Sequence, residues 1–280
     1  MLTLMVVFAH PDDESFGIGG TLARYGADPE VRVVLVCATR GEAGEISDPS
    51  LATPERLGEV REQELRCACQ ILKVDELCFL GYRDSGMAGT PDNQHPDCLV
   101  QAPLEAVTAQ IVASIRKHRP QVVICDNEFG GYGHPDHIKL HQATVAAFAA
   151  AADPARFPEA GLPHQPERLY FTAFSMGLLK VVVRLMPLFG RDPRKFGRNG
   201  DIDLTQMVSW ETPVHARIDV RAYYDVKQRA SACHRSQGGP GEAFRWLPGF
   251  VVRRMFGFET FQQGNPPPQP SAALRRDLFG

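Results

Sequence analysis

The sequence predicts an α/β fold: a Rossmann-like, mostly parallel sheet with flanking helices, followed by a smaller mixed C-terminal part. Over residues 1–152, short runs of apolar residues alternate with longer helical stretches, a pattern typical of βαβ units. Each short run is apolar through its centre, as expected of a parallel strand that helices cover on both faces. Polar clusters follow these runs, and such sheets bind ligands at the carboxyl ends of their strands.

Four strands and four helices account for this first part. The strands are expected at residues 4–9, 32–37, 76–80 and 122–125, and the helices at about 17–25, 54–72, 103–118 and 135–152. Pro54, Pro103 and Pro135 lie near the first turns of three helices, where a missing N–H is tolerated. A weaker pattern further along predicts two strands and a helix, at 168–172, 216–218 and 220–234.

The chain is expected to fall into three segments. Residues 1–152 would form the Rossmann-like catalytic core, and residues 153–264 an α+β part that completes the same site. Residues 265–280, with three consecutive prolines near their start, are predicted to be an extended tail. Two segments rich in apolar and basic residues, 178–189 and 244–258, are expected to be core helices. A subunit interface or an apolar wall for the substrate is the alternative.

Composition and charge narrow the class of protein. A net charge of −3 and a pI near 6.3 provide no overall positive field, so nucleic acid is not expected as a partner. The N-terminus lacks a basic leader, and no apolar stretch approaches the ~20 residues of a spanning helix, so we expect no membrane span and a cytoplasmic location. The seven cysteines contain no CxxC pair and are expected to be reduced and mostly buried.

Two polar clusters carry the candidate chemistry. His10-Pro11-Asp12-Asp13-Glu14 ends the first strand, and Gly130–His137 follows the fourth with two more imidazoles and a carboxylate. Adjacent carboxylates repel and must be solvated, paired or neutralised by a cation. A solvated acidic turn with a helix cap is the alternative for the first cluster. Catalytic zinc takes three protein ligands and leaves a position for water, a count that two histidines and one aspartate would meet.

These motifs resemble a known family. AHPDDE, followed by GGYGHPDH, is similar to the LmbE-like, or N-acetylglucosaminyl-phosphatidylinositol de-N-acetylase (PIG-L), family. Residues 38–45 and a late helix that ends in HRSQ also resemble the family, so the resemblance covers most of the chain up to about residue 237. Residues 82–90 are especially similar to the family's mycothiol-pathway enzymes, which act on N-acetylglucosaminyl-inositol or on mycothiol conjugates.

The resemblance implies a zinc-dependent hydrolase that removes acetate from an N-acetylglucosamine-type sugar conjugate, a small-molecule substrate. It implies one Zn²⁺ per chain, with His10, Asp13 and His137 as ligands. Asp12 would be the general base, and a protonated His134 would stabilise the oxyanion. Asp136 is expected to orient His134, and Tyr132, which lies on glycine-flanked backbone, is expected to be a mobile second donor. Arg61 and Asp84 match positions that contact sugar hydroxyls in the mycothiol-pathway enzymes.

Several alternatives remain open at this stage. The enzyme could instead be an amidase of mycothiol-like thiol conjugates, or the chain a non-catalytic metal- or sugar-binding Rossmann-like module. Fe²⁺ or Co²⁺ could bind to the same ligands in place of Zn²⁺. The chain could also form a homo-oligomer. Arg61 could be one charge on a solvated helix face, and Asp84 a turn residue. His141 is interpreted as structural and His234 as a residue at the rim of the site.

Overall fold

A computed structural model describes residues 1–173, 177–196, 203–210, 212–239, 253–254, 256–269 and 273–280. The strands in these residues are Leu2–Phe8 (β1), Val31–Thr39 (β2), Glu76–Tyr82 (β3), Val122–Cys125 (β4), Arg168–Ala173 (β5), Ala216–Asp219 (β6) and Phe258–Asn265 (β7). They form one sheet in the order β3-β2-β1-β4-β5-β7-β6. The first five strands run parallel, and β7 is antiparallel to both of its neighbours. The predicted mostly parallel α/β fold is confirmed.

Helices cover both faces of the sheet. They are Asp13–Gly26 (α1), Leu57–Leu72 (α2), Leu104–His118 (α3), the single turn Gly130–Gly133 (α4), Pro135–Ala150 (α5), Gly177–Leu185 (α6), Leu204–Ser209 (α7) and Tyr224–Ser231 (α8). Short 3-10 turns lie at Pro54–Arg56, Pro91–Gln94, Pro158–Ala160, Met186–Phe189, Arg221–Tyr223 and Arg235–Gln237. The predicted helix starts of the first part differ most at α1, which begins at Asp13 instead of residue 17.

The interior strand β1 shows why these strands are apolar on both faces. Leu4, Val6 and Phe8 pack in one core with α1, α2 and α8, whereas Met5 and Val7 pack in a second core with α3 and α5. Successive side chains of a strand point to opposite faces, so both sets are removed from water only because both faces carry helices. This arrangement places the carboxyl ends of β1 to β4 side by side.

The C-terminal part differs from the prediction in one strand and in the tail. The sequence analysis did not predict β7, whose buried Phe261 packs edge-to-face on Tyr170 of β5. Leu278, within the predicted extended tail, is 0% exposed, and its N–H donates to the Tyr25 hydroxyl at 2.8 Å. The end of the predicted tail therefore packs on the core, and the sheet continues across the expected boundary at residue 152. The three-segment division stays a prediction.

The segment 178–189 was expected to be a core helix, and this prediction is wrong. It forms most of α6 and the following 3-10 turn, and Val183 is buried. Many of its other apolar side chains are exposed, namely Val181, Val182, Leu185, Leu188 and Phe189. Most of the companion segment, residues 244–252 and 255, lies outside the described residues.

The cysteine prediction is also wrong in part. Cys67 of α2 and Cys233, just beyond α8, are joined by a disulfide across 166 residues of sequence. Spacing could not reveal this pair because only the packing of α8 against α2 brings the two residues together. The other five cysteines are free, and only Cys78 among them is not buried. Among the described residues, no helix has the length and apolar character needed to cross a membrane.

Candidate metal centre and active-site cavity

A cavity of about 300 Å³ opens where the loops after β1, β2, β3 and α4 meet. Its lining includes six of the predicted site residues from the first part of the chain and two polar residues from the 3-10 turn after α8. These are His10, Asp12, Arg61, Asp84, Tyr132 and His134, with Ser236 and Gln237. The structure thus brings polar clusters that are far apart in sequence into one site.

The turn after β1 is held in an uncommon backbone conformation. Asp12 has φ 116° and ψ −26°, a region in which a non-glycine residue costs ~1–3 kcal/mol. Its N–H donates to the Glu14 carboxylate at 2.9 Å, and Arg61 donates to the carbonyl of Pro11 at 2.6 Å. Because these bonds restrain the turn from both sides, the Asp12 carboxylate can lie at the cavity while Asp13 begins α1.

Three candidate ligand atoms form a small triangle. His10 Nδ1 lies 3.1 Å from His137 Nε2, and Asp13 Oδ2 lies 3.8 Å and 3.5 Å from these two nitrogens. Zinc bonds of about 2.0–2.1 Å at tetrahedral angles separate neighbouring ligand atoms by about 3.3–3.4 Å. The triangle therefore has the dimensions of three vertices of a tetrahedral site.

The outward nitrogens of both histidines face carboxylates. His10 Nε2 lies 3.2 Å from Asp136 Oδ2 and 3.4 Å from Asp84 Oδ1, and His137 Nδ1 lies 2.9 Å from Asp126 Oδ2. Metal-ligating histidines generally have such a partner on the nitrogen that does not bind the metal. The sequence analysis missed Asp126, although its position directly after β4 was the same signal that singled out the other clusters.

Negative charge exceeds positive charge around the two imidazoles. Asp84, Asp126 and Asp136 are buried, and Asp13 lies among them. Burial opposes protonation of His10 and His137, yet the surrounding carboxylates raise the pKa of both imidazoles above its usual value. Buried carboxylates are costly unless a cation compensates them. The cluster has the excess of negative charge and the nitrogen and oxygen donor atoms that would bind a divalent cation.

His134 differs from the other two histidines because one of its nitrogens is already occupied. Its Nδ1 accepts the backbone N–H of Asp136 at 3.2 Å, so the proton of the neutral imidazole is on Nε2. Burial, reinforced by the nearby His10 and His137, lowers the pKa of His134 to about 2. The hydrogen bond and the lowered pKa favour a neutral N–H donor over the protonated form that the sequence analysis expected, and the role of His134 stays a prediction.

The carboxylate of Asp136 was expected to orient His134, but it lies elsewhere. It accepts the N–H of Ser85 at 2.9 Å and contacts His10. Only the main chain of Asp136 contacts the ring of His134. Asp136 consequently orients two imidazoles: its carboxylate contacts His10, and its backbone N–H donates to His134.

Arg61 is buried, which excludes the interpretation of a charge on a solvated helix face. It is 3% exposed, and its guanidinium donates to Gly41 O at 3.0 Å and contacts Asp12 Oδ2 at 3.2 Å. Burial raises the pKa of Asp12 to about 6, an effect that Arg61 opposes. The position of Arg61 thus connects the loops after β1 and β2 and influences the charge of Asp12.

Asp84 lines the cavity, and each of its carboxylate oxygens accepts one backbone N–H group. It accepts the N–H groups of Gly86 and Ala43 at 2.8 Å and 3.2 Å, while its own N–H donates to Glu42 at 3.0 Å. Despite burial, the adjacent His10 and these bonds lower the pKa of Asp84. The carboxylate is therefore held ionised and is fixed in orientation.

Tyr132 lies on a short turn of glycines. Gly130, Gly131 and Gly133 all have positive φ, a conformation that glycine adopts without strain. The Tyr132 ring centroid lies 5.8 Å from that of His134 and 5.7 Å from that of His137. The backbone on both sides of Tyr132 accordingly lacks the side chains that would restrict it.

Two further histidines have structural surroundings. His234, expected at the rim, is fully buried, and its Nε2 lies 2.8 Å from Glu14 Oε1. It lies beneath the turn after β1 because α8 packs on α1. His141 Nδ1 is 2.9 Å from the carbonyl of Asp126, which agrees with its interpretation as structural.

The fold and the site define a Rossmann-like α/β protein with a candidate metal centre at the carboxyl ends of its parallel strands. Residues 5–148 match the PIG-L family, described as GlcNAc-PI de-N-acetylase. The chain belongs to this family, as the sequence motifs predicted.

Two relatives agree with this assignment, and one solved structure agrees with the fold. The chain is 41% identical to 1D-myo-inositol 2-acetamido-2-deoxy-alpha-D-glucopyranoside deacetylase of Thermobifida fusca, over 99% of this chain and 98% of the relative. It is 40% identical to the protein of the same description from Thermobispora bispora, over 95% and 90%. Its fold is similar to that of N,N'-diacetylchitobiose deacetylase from Pyrococcus horikoshii, with a TM-score of 0.64, 20% identity and coverage of 93% and 83%.

Proposed function

We propose that this chain hydrolyses the acetamide of an N-acetylglucosamine conjugate to acetate and a free amine, and that the conjugate is a glycoside of inositol. The triangle of His10, Asp13 and His137, whose member His10 lines the cavity together with Asp12, is the observation that carries the proposal. The similarity to inositol glycoside deacetylases over nearly the whole chain supports the substrate class.

The proposed cofactor is one divalent cation per chain, zinc in particular, held by His10 Nδ1, Asp13 Oδ2 and His137 Nε2. The separations of these atoms support a tetrahedral site, and the outer carboxylates support the ligand form of both imidazoles. His134 is not included because its Nε2 bears a proton. When bound, the cation would polarise the acyl carbonyl and lower the pKa of water.

Asp12 is the proposed general base and later the general acid. Its carboxylate lines the cavity and is not part of the triangle, so it can accept a proton from the attacking water. It can then deliver that proton to the departing amine nitrogen, which needs one to leave as a neutral amine. A pKa near 6 allows both directions of transfer close to neutral pH.

His134 is the proposed donor to the oxyanion. As the carbonyl carbon becomes tetrahedral, its oxygen gains negative charge, which an N–H donor stabilises more strongly than it stabilises the ground state. The Nε2–H of His134 lines the same cavity, and the backbone of Asp136 keeps this tautomer. Tyr132 is a proposed second donor, and we propose that the glycines beside it allow it to move over the substrate.

Recognition of the sugar is proposed for Arg61 and Asp84. Both line the cavity, and the Nε–H of Arg61 has no hydrogen-bond partner among the residues that the structure describes. A buried donor without a partner is costly, and a substrate hydroxyl would satisfy it. Asp84 retains lone pairs beyond those used by two N–H groups, so it can accept from another hydroxyl.

One experiment separates this proposal from its alternatives. The purified protein is analysed for bound metal and incubated with N-acetylglucosaminyl-inositol and, separately, with a glucosaminyl-inositol that carries a larger acyl group. We expect about one metal ion per chain and free amine from the acetylated substrate. Faster release from the larger amide would favour the amidase, and bound metal without any hydrolysis would favour the binding module. Reconstitution with Fe²⁺ or Co²⁺ identifies the metal that gives the highest activity.

The cytoplasmic location stays a prediction.

A further inference from the structure

The disulfide between Cys67 and Cys233 lies at the surface, outside the proposed chemistry. The Cα atoms are 6.0 Å apart; Cys67 is exposed and Cys233 half-buried. Both residues line a second groove of about 650 Å³, together with Glu59, Glu64 and Arg235 among others. Accessibility to a small attacking thiolate is what thiol–disulfide exchange requires.

The segment that follows Cys233 forms part of the wall of the active-site cavity. Ser236 donates to the carboxylate of Glu64 through its N–H at 2.7 Å and its hydroxyl at 2.6 Å, and Gln237 donates to Glu45 O at 2.9 Å. Ser236 and Gln237 both line the cavity. Glu64 and Cys67 are three residues apart on α2 and thus share a face of that helix.

The wall segment is therefore attached to one face of α2 twice, by the disulfide and by the Glu64 hydrogen bonds. Loss of the covalent attachment leaves only hydrogen bonds to hold this segment among the described residues: those of Ser236 to Glu64, those that Ser47 donates to the carbonyls of Arg235 and Ser236, and that of Gln237 to Glu45 O. If the segment that contains Ser236 and Gln237 is less restrained, its backbone and side chains must become ordered when substrate binds. The conformational entropy lost in this ordering lowers the affinity for substrate.

We propose that Cys67 and Cys233 form a thiol–disulfide exchange site whose oxidation state sets the affinity of the active-site cavity for its substrate. In the oxidising direction, the two thiols and a low-molecular-weight disulfide yield the protein disulfide and two low-molecular-weight thiols, through a mixed disulfide. The two electrons and two protons lost by the cysteines appear on the released thiols. The effect on affinity depends on the proposed function, whereas the exchange chemistry does not.

The exchange chemistry is tested on the native protein without an activity assay. The protein is alkylated with iodoacetamide before and after treatment with a phosphine reductant, and the labelled positions are mapped by mass spectrometry. We expect Cys67 and Cys233 to be labelled only after reduction, and oxidised glutathione to restore their protection. Cys78, the half-buried free cysteine, is the internal control and should react equally in both states. Labelling of Cys67 and Cys233 regardless of reductant and oxidant would overturn the site.

The effect on the cavity is tested by steady-state kinetics of the metal-loaded enzyme. We expect KM to rise about fivefold or more on reduction, the lower end of typical coupling between sites, with kcat within about twofold. Cys67→Ser and Cys233→Ser should each show the high KM and no response to reductant, while Cys78→Ser should behave like the parent. Metal content is measured in each sample, because a reductant that removed the metal would lower kcat instead.

The outcomes distinguish this inference from the proposed function. Equal KM values for the oxidised and reduced enzyme, with the labelling as expected, would refute the coupling and leave deacetylation intact. Absence of hydrolysis in every form would refute the proposed function and with it the coupling, while the alkylation result would still decide whether the exchange site exists.

Discussion

Asp126 and His137 are paired at the carboxyl end of β4, with the carboxylate Oδ2 2.9 Å from the imidazole Nδ1. The contact directs the other nitrogen, Nε2, towards Asp13 and His10. A residue outside the proposed ligand triangle thus contacts one of its members and restrains the orientation of its ring.

Asp126→Ala should weaken metal binding without removing a ligand. Loss of such a partner typically lowers metal affinity 10–100-fold, because the imidazole becomes less basic and less well oriented. The dissociation constant is measured by competition with a coloured chelator. Asp97→Ala, which removes an exposed carboxylate, is the control and should bind metal like the parent. Unchanged affinity in Asp126→Ala would separate Asp126 from the metal site.

Asp12→Asn should separate metal binding from catalysis. We expect metal content close to that of the parent and a fall in kcat of at least ~10²-fold, since general acid–base groups contribute that much. Metal analysis and product formation are measured on the same sample. Loss of the metal in this variant would instead identify Asp12 as a ligand.

His134→Ala should retain its metal and lose roughly 10²–10³-fold in kcat, as for other oxyanion donors. Because burial and the neighbouring imidazoles keep His134 neutral well below pH 6, its removal should leave any basic limb of the pH profile in place. The pH dependence of kcat/KM in variant and parent provides the comparison. A basic limb that disappears with His134 would show that its protonated form is the active one.

Arg61→Met should move the acidic limb of kcat/KM to higher pH. Asp12 acts as a base only when ionised, so activity falls as pH decreases through its pKa, which burial raises to about 6. Arg61 favours the ionised form, and removing its positive charge raises that pKa further. Because a bound cation lowers the same pKa, the informative quantity is the shift between variant and parent under identical metal loading. A limb at the same pH in both proteins would remove Asp12 from the acidic transition.

Leu278→Ala should destabilise the fold by about 2–5 kcal/mol, the usual effect of truncating a fully buried leucine. Leu274→Ala, at a position that is 47% exposed, is the matched control and should change stability by less than about 0.5 kcal/mol. The free energy of unfolding is measured by urea titration. Equal stability of the two variants would mean that the end of the chain does not pack on the core.

The sequence alone determined the parallel half of the sheet and the position of its reactive clusters. β1 to β4 are short, apolar on both faces and separated by helices, so local hydrophobic periodicity was sufficient to place them. The adjacent residues His10 to Glu14 identified the site because several ionisable groups at the end of a buried strand require a partner. The family resemblance rested on those same residues.

The tertiary structure alone decided which groups face one another. β7 was missed because its second half is composed of glutamine, glycine and asparagine, and its place between β5 and β6 depends on pairing with both. His10 and His137 contact carboxylates that the sequence analysis did not assign to them, and the Cys67–Cys233 bond joins residues that are distant in sequence. The lowered pKa of His134 depends on its burial. Local sequence patterns predict strands, helices and turns. Contacts between residues a hundred positions apart, and the pKa shifts that these contacts cause, arise only when the helices pack on the sheet.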